Sequence, residues 1–323
     1  MLFWLLLAAA VVWLLWYMTR VPGAPNRGAP PPLGAAEREI EAKLRQHVAA
    51  IGAREHNLEH PEALEAAARY LETELAALGY APAAQRFATD AGEVRNIEVE
   101  LGGGARATEI IVVGAHYDSV SGSPGANDNG SGVAAVLELA RLMHGAAPAR
   151  TLRFVLFVNE EPPYFKSEAM GSLHYARRSR ERGEELVAMF SLETLGYYSD
   201  RSGSQRYPFP LGFFYPGEGN FVAFVSNLGS RELLHEAIAA FRRHATFPSE
   251  GVAAPAFIPG VDWSDQWSFW KEGYPAVMLT DTAPYRYPYY HSAQDTPEKV
   301  DTDRLARVVN GLHAMLGELA GAR

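Results

Sequence analysis

The sequence predicts an α/β fold: one three-layer α/β/α domain around a mixed central sheet, preceded by a single N-terminal transmembrane helix. Three observations carry that expectation. Short apolar runs alternate with amphipathic stretches along most of the chain, as strands alternate with helices in layered α/β domains. The first eighteen residues contain neither a charge nor a proline. A proline- and glycine-rich stretch then divides that run from the rest.

The opening run, MLFWLLLAAAVVWLLWYM from Met1 to Met18, is just long enough to cross a bilayer as a helix. Trp13, Trp16 and Tyr17 near its end carry the amphipathic rings that favour a membrane–water interface. A cleaved signal peptide is the rival reading, but no basic residue precedes the run and no small-x-small site directly follows it. Residues 1–18 are therefore read as a transmembrane anchor, 19–35 as a linker and 36–323 as the catalytic domain. Val21 to Gly34 holds five Pro, three Gly and no carboxylate, the composition of a semi-rigid extended spacer.

Within the body, Ala36–Ala53 and Pro61–Leu78 read as amphipathic helices, the second opened by proline in its first turn. Arg95–Leu101 and Thr108–Ala115 are apolar strands, expected to pair as a hairpin through Gly102-Gly103-Gly104. Val133–Met143 is a helix, Leu152–Val158 a buried strand and Leu173–Arg180 a helix. Val187–Leu192 and Ala276–Leu279 are short strands, and Thr302–Leu319 is a closing helix. Gly196–Asp262, aromatic and proline-rich at both ends with a helix near Arg231–His244, is expected to form a cap or wall over the site.

Composition narrows the function. The chain is 48% hydrophobic with 15 Tyr, 15 Phe and 6 Trp, enough for a substantial core. Net charge is −9; the segment to Gly34 holds Arg20 and Arg27 and no acid, so the remainder carries 27 basic and 38 acidic residues, or −11. A body so acidic repels phosphate backbones, and no basic stripe with interleaved aromatics offsets it, which argues against nucleic acid as a partner. There is no cysteine, so any metal is held by His, Asp and Glu.

Polar residues concentrate where strands are expected to end. The run IIVVGAHYDS places His116 and Asp118 at the carboxyl end of a strand, where open α/β sheets build their sites. Two readings fit this pair: a metal-binding histidine whose second ring nitrogen is oriented by Asp118, or a buried histidine hydrogen-bonded to a local aspartate. The loop SGSPGANDNGSG sets Asp128 just before a helix, as a helix cap or as a carboxylate bridging two metals. Its glycines do not make a phosphate loop, because Gly-Lys-Ser/Thr is missing. TLRFVLFVN runs directly into Glu160-Glu161, adjacent carboxylates that repel one another unless a cation is near. VAMFSL ends in Glu193, and PYYHSAQDT places Tyr290 and His291 in a polar turn. Together His116, Asp128, Glu161, Glu193 and His291 form a nitrogen-and-oxygen set suited to zinc, too large for one open tetrahedral site. Sharing Asp128 between two ions divides the set evenly and leaves Glu160 as a general base.

With those motifs in view, the sequence resembles the co-catalytic dizinc aminopeptidases, whose relatives include glutamate carboxypeptidase II and the glutaminyl cyclases. HYDS, the Asp128 loop, Glu160-Glu161, Glu193 and YHSAQDT occur in the family's order, over roughly residues 36 to 320. The resemblance implies a peptide substrate and two Zn2+ per chain, one held by His116, Asp128 and Glu193 and the other by Asp128, Glu161 and His291. It implies a proton-shuttle role for Glu160 and, for Tyr290, contact with the tetrahedral intermediate. Two positions depart from the pattern. Glu193 stands where the peptidases usually have Asp and where glutaminyl cyclases, with a single zinc, have Glu. Pro162-Pro163 follows the acidic pair where small residues are common.

The expected activity is that of a metallo-exopeptidase of the aminopeptidase type. A glutaminyl-cyclase-like acyl transfer with one zinc and a non-catalytic receptor that kept the fold are the alternatives, the last weakened by an intact ligand set. Asp265 is a candidate wall residue or a structural hydrogen-bonding group, and Trp263, Trp267, Phe269 and Trp270 are read mostly as core. Arg20 and Arg27 follow the apolar run and none precede it, which favours a cytoplasmic body. The export of many relatives and the anchor's likeness to an uncleaved signal favour the opposite side, and the reading taken is a periplasmic or extracellular catalytic domain.

Overall fold

The computed structural model describes residues 1–28 and 30–322. Helix α1 (Leu2–Thr19) is long and apolar enough to cross a membrane, and its side chains stand almost entirely free of the body up to Trp16. Helices α2 (Ala35–Ile51) and α3 (Pro61–Ala77) follow, each with one apolar face turned inward, α3 beginning at Pro61 as its sequence requires. The remaining helices are α4 (Gly130–Met143), α5 (Gly171–Glu181), α6 (Arg231–His244), α7 (Gln266–Lys271), α8 (Ala283–Arg286) and α9 (Thr302–Ala320). The Asp301 side chain accepts from the Arg304 amide to open α9, and Gly321 closes it at φ +64°, a conformation that glycine adopts without strain.

Eight strands make one sheet: β1 (Ala83–Thr89), β2 (Gly92–Leu101), β3 (Arg106–His116), β4 (Arg150–Phe157), β5 (Glu185–Glu193), β6 (Val222–Ser226), β7 (Ser249–Ala253) and β8 (Ala276–Thr280). Their order is β1-β2-β4-β3-β5-β8-β6-β7. The central β4, β3, β5 and β8 are mutually parallel, whereas β1–β2, β2–β4 and β8–β6 pair antiparallel. Alternate residues feed opposite faces: Ile111, Val113 and Ala115 of β3 enter the core under α2, α4, α6 and α9, while Ile110 and Val112 pack beneath α5 and α7. The sheet with helices on both faces confirms the three-layer, mixed-sheet expectation.

Two expectations are corrected. β2 and β3 do not form a hairpin; β4 lies between them, pairing antiparallel with β2 and parallel with β3. The glycines serve another purpose, since a side chain on Gly103 would meet the Arg150–Thr151 backbone at 2.6 Å. The hairpin partner of β2 is β1, an exposed edge strand whose weakly apolar sequence AAQRFAT gave no signal. Nor is Gly196–Asp262 only a cap. It supplies β6 and β7, which widen the sheet, together with α6 on one face; the wall over the other face comes from its two ends.

The last turn of α1 and the first residues of the linker lie against the body. Met18 is buried among Phe221, Ala223 and Val225, and Arg242 Nη1 donates to the carbonyls of Pro22 and Gly23 at 2.9 and 3.0 Å.

Candidate metal centre

β4, β3, β5 and β8 run the same way, and their carboxyl ends open into one crevice. These strands are largely buried on both faces, and the acidic and imidazole groups that face the crevice stand where the ladder stops. His116 is the last residue of β3 and Glu193 the last of β5. Glu160 and Glu161 follow β4 after Asn159, whose φ of +61° turns the chain, and His291 arrives on the loop after α8.

The structure brings all five expected ligands together. His116 Nε2 lies 3.5 Å from Asp128 Oδ1 and 3.3 Å from Glu193 Oε2. His291 Nε2 lies 3.1 Å from Asp128 Oδ2 and 3.4 Å from Glu161 Oε1. Asp128 therefore turns one oxygen toward each histidine. Glu160 stands at the edge of the group, its Oε2 3.7 Å from His116 Nε2.

These groups fit metal ions better than they fit one another. Among the described residues, the buried His116 Nε2 and Glu161 Oε1 have no hydrogen-bond partner. Burial pushes the Glu161 carboxyl up to about 7, and the Asp128 charge adds to it. Burial also raises Glu160 well above its ordinary value, against the pull of His116, with Glu161 and Glu193 repelling its charge. Burial works to lower His291, yet the nearby carboxylates of Asp128 and Glu161 hold it up at about 10. Burial tends to raise Asp128, but the two histidines outweigh it and keep that carboxylate ionised below its usual range. The cluster thus balances its negative charge with protons, which is the part a divalent cation takes when it binds.

The surroundings bear on the local alternatives. Asn129, not Asp128, caps α4, its side chain accepting from Gly132 N at 3.2 Å. Asp128 is left free to face the histidines. The Asp118 carboxylate accepts from the amides of Glu160 and Glu161, both at 3.1 Å, and so fixes the acidic pair. The closest partner of His116 Nδ1 is the Asp118 carbonyl at 3.1 Å, with the carboxylate at 3.6 Å.

Three supporting residues were missed. Asp295 accepts from the amides of Asn127 and Asp128 at 2.8 and 3.0 Å while the Tyr287 hydroxyl donates to it at 2.7 Å, so it clamps the Asp128 loop. Asn127 donates to Asp281 at 3.0 Å, and Ser264 donates to Glu193 Oε2 at 2.6 Å. The QDT of the His291 motif was the one available signal for this shell. Asp265 is fully buried, and among the described residues neither of its oxygens has a hydrogen-bond partner; burial raises it to about 7.

Beside the cluster, an apolar pocket runs from Glu193 and Tyr290 over β6 and β8, walled by Tyr207, Leu211, Phe221, Val225 and Trp263. The Tyr290 ring stacks on His291 with centroids 3.8 Å apart, and burial lifts its hydroxyl far above the ordinary phenol range. Of the nearby aromatics, Phe269 is core, as expected, whereas Trp263 is 42% exposed at the pocket rim.

Known proteins give the same picture. The signature described as Peptidase family M28 matches residues 96–316. The protein YfbL of Escherichia coli K12, itself uncharacterised, is 33% identical over 98% of this chain and 96% of its own length. Aminopeptidase YwaD of Bacillus subtilis is 28% identical over 61% of this chain, which spans 38% of that protein. By fold, the LapA aminopeptidase of Legionella pneumophila aligns with a TM-score of 0.70 at 19% identity, covering 91% of this chain and 77% of that one. A glutaminyl cyclase of Macrostomum lignano aligns at 0.68 and 17% identity, covering 92% and 96%.

Proposed function

Because the chain belongs to peptidase family M28, we propose that it is a zinc-dependent aminopeptidase with two zinc ions in its site. The observation that carries this reading is Asp128, whose two oxygens face two different histidines. His116, Asp128 and Glu193 would hold one ion, and Asp128, Glu161 and His291 the other. When bound, the ions supply an acidified water and an electrophilic pull on the substrate carbonyl.

The remaining work falls to side chains. Glu160, at the edge of the group beside His116, takes a proton from the attacking water at its carboxylate and returns it to the leaving amine. Asp118 holds the backbone of Glu160 and Glu161 so that their carboxylates diverge. Tyr290 keeps its proton and donates a hydrogen bond to the oxyanion as it develops. The apolar pocket beside Glu193 and Tyr290 takes an apolar side chain of the substrate's first residue.

Glu193, the residue glutaminyl cyclases use at this position, favours a second reading: cyclisation with one zinc. One experiment separates them. Purified protein is assayed for zinc per chain and for release of amino acids from a panel of free and N-acetylated peptides. About two zinc ions, cleavage lost on chelation and restored by zinc, and poor turnover of the blocked peptides support the aminopeptidase. One zinc with ring closure of N-terminal glutamine and no hydrolysis replaces it by the cyclase. We also read α1 as a retained membrane anchor with the body on the exported side.

A further inference from the structure

Where α1 meets the body, positive charge gathers on a chain that is otherwise acidic. Arg20, Arg27, Arg231, His235 and Arg242 line a cleft between the last turn of α1, the start of the linker and α6, with Glu250 the single carboxylate. Among the described residues, the one ion pair in the cleft joins Arg242 to Glu250 at 3.9 Å.

Three of these residues hold the end of α1 and the start of the linker in place. Arg231 covers the Tyr17 ring at 4.0 Å and donates from Nε to the Tyr17 carbonyl at 3.0 Å. Arg242 donates to Pro22 and Gly23. His235 Nε2 lies 3.1 Å from the Arg20 carbonyl. Arg20 and Arg27 do none of this. Their side chains are exposed, and Arg20 rests its guanidinium 5.4 Å above the Trp16 ring. Among the described residues neither guanidinium forms an ion pair, and fold stability alone gives no reason to place both in the lining of a cleft that two further arginines already line.

The location supplies a reason. The cleft opens at the end of an apolar helix, one turn beyond Trp13 and level with Trp16 and Tyr17, the depth at which lipid headgroups lie if α1 spans a bilayer. A body of net charge −11 is repelled by an anionic membrane, and a local cationic collar offsets that repulsion within a Debye length. Guanidinium pairs with phosphate through parallel N–H donors. We propose that this cleft binds the phosphodiester headgroup of an anionic phospholipid from the bilayer that α1 spans, with Arg20 and Arg27 closing on the phosphate and Arg231 forming its back wall. The proposal rests on α1 being a membrane anchor and is independent of the zinc chemistry.

The test uses the full chain. Flotation with vesicles of phosphatidylcholine alone reports the anchor. Thermal unfolding in nanodiscs of phosphatidylcholine, with and without phosphatidylglycerol, reports the headgroup, and native mass spectrometry counts the lipid retained. One phosphatidylglycerol per chain and a higher Tm in its presence are expected. Arg20→Gln and Arg27→Gln should each weaken the preference for phosphatidylglycerol about fivefold, while Arg86→Gln on the distant β1 leaves it unchanged. Flotation with equal stability in both lipids overturns the headgroup site and leaves the anchor standing. Failure to float overturns both. Inorganic phosphate reproducing the full shift in detergent overturns the lipid as ligand.

Discussion

Glu160 and Glu161 are neighbours in sequence for which different tasks are proposed, and substitution separates them. Glu160→Gln keeps the shape and removes the proton carrier, so zinc content should stay near wild type while kcat falls by a hundredfold or more. Glu161→Gln or His291→Ala removes a ligand, and zinc content measured by mass spectrometry should fall with activity. Retained turnover in Glu160→Gln would remove it from the mechanism. Asp295 acts at one remove, through the amides of Asn127 and Asp128. Asp295→Asn should cost about tenfold or more in zinc affinity or kcat/KM, the range typical of groups that hold a ligand in place. An unchanged zinc dissociation constant and unchanged kinetics would mean that the loop holds Asp128 without it. At this scale much was legible. Each strand that carries a candidate ligand announced itself as an apolar run ending in or running into His or Glu, the place where open α/β sheets build their sites. Asp295 and Ser264 stayed hidden because their partners are distant in sequence and one of them is backbone.

Elements were harder to read than residues. The central strands and long helices followed from periodicity, with ends moved by a few residues. The pairing of β2 did not, since local glycines suggest a turn without saying which strand is its neighbour. β6 and β7 are five residues each and sit in an aromatic stretch that hides the strand period. The edge hairpin β1–β2 is tied to α3 by Arg95, which donates to Glu72 at 2.7 Å and to Glu65 at 2.6 Å. The Arg95 hydrogen bonds draw the Glu65 carboxyl from its ordinary 4.5 down to about 2. A depressed carboxylate stabilises the fold above its unfolded pKa and loses that effect as pH falls toward its folded one. The stability gap between wild type and Glu65→Gln should thus be widest near neutrality and close as pH falls from about 4.5 toward 2. Glu65 is 41% exposed on its side chain, so the gap should be small and should shrink in salt. Thermal melts across that range check it; a gap independent of pH would place the contribution in packing.

For the molecule as a whole, the exported orientation is tested by a reporter fused after Arg323. Alkaline phosphatase activity is the expected outcome, and fluorescence of a reporter that matures only in the cytoplasm would invert the topology. The docking of the linker bears on what such an enzyme meets. A free fourteen-residue tether would let the body wander over roughly 20 Å. Met18 is buried and Pro22 and Gly23 are bonded to Arg242, contacts that restrict that wandering. On the proposed reading that α1 spans a bilayer, the crevice keeps one height and one heading above it, like a tool in a fixed mount. Peptides reach it from a single layer of the surrounding space, and a chain end held at another depth would pass it by, however well its first residue fits the pocket.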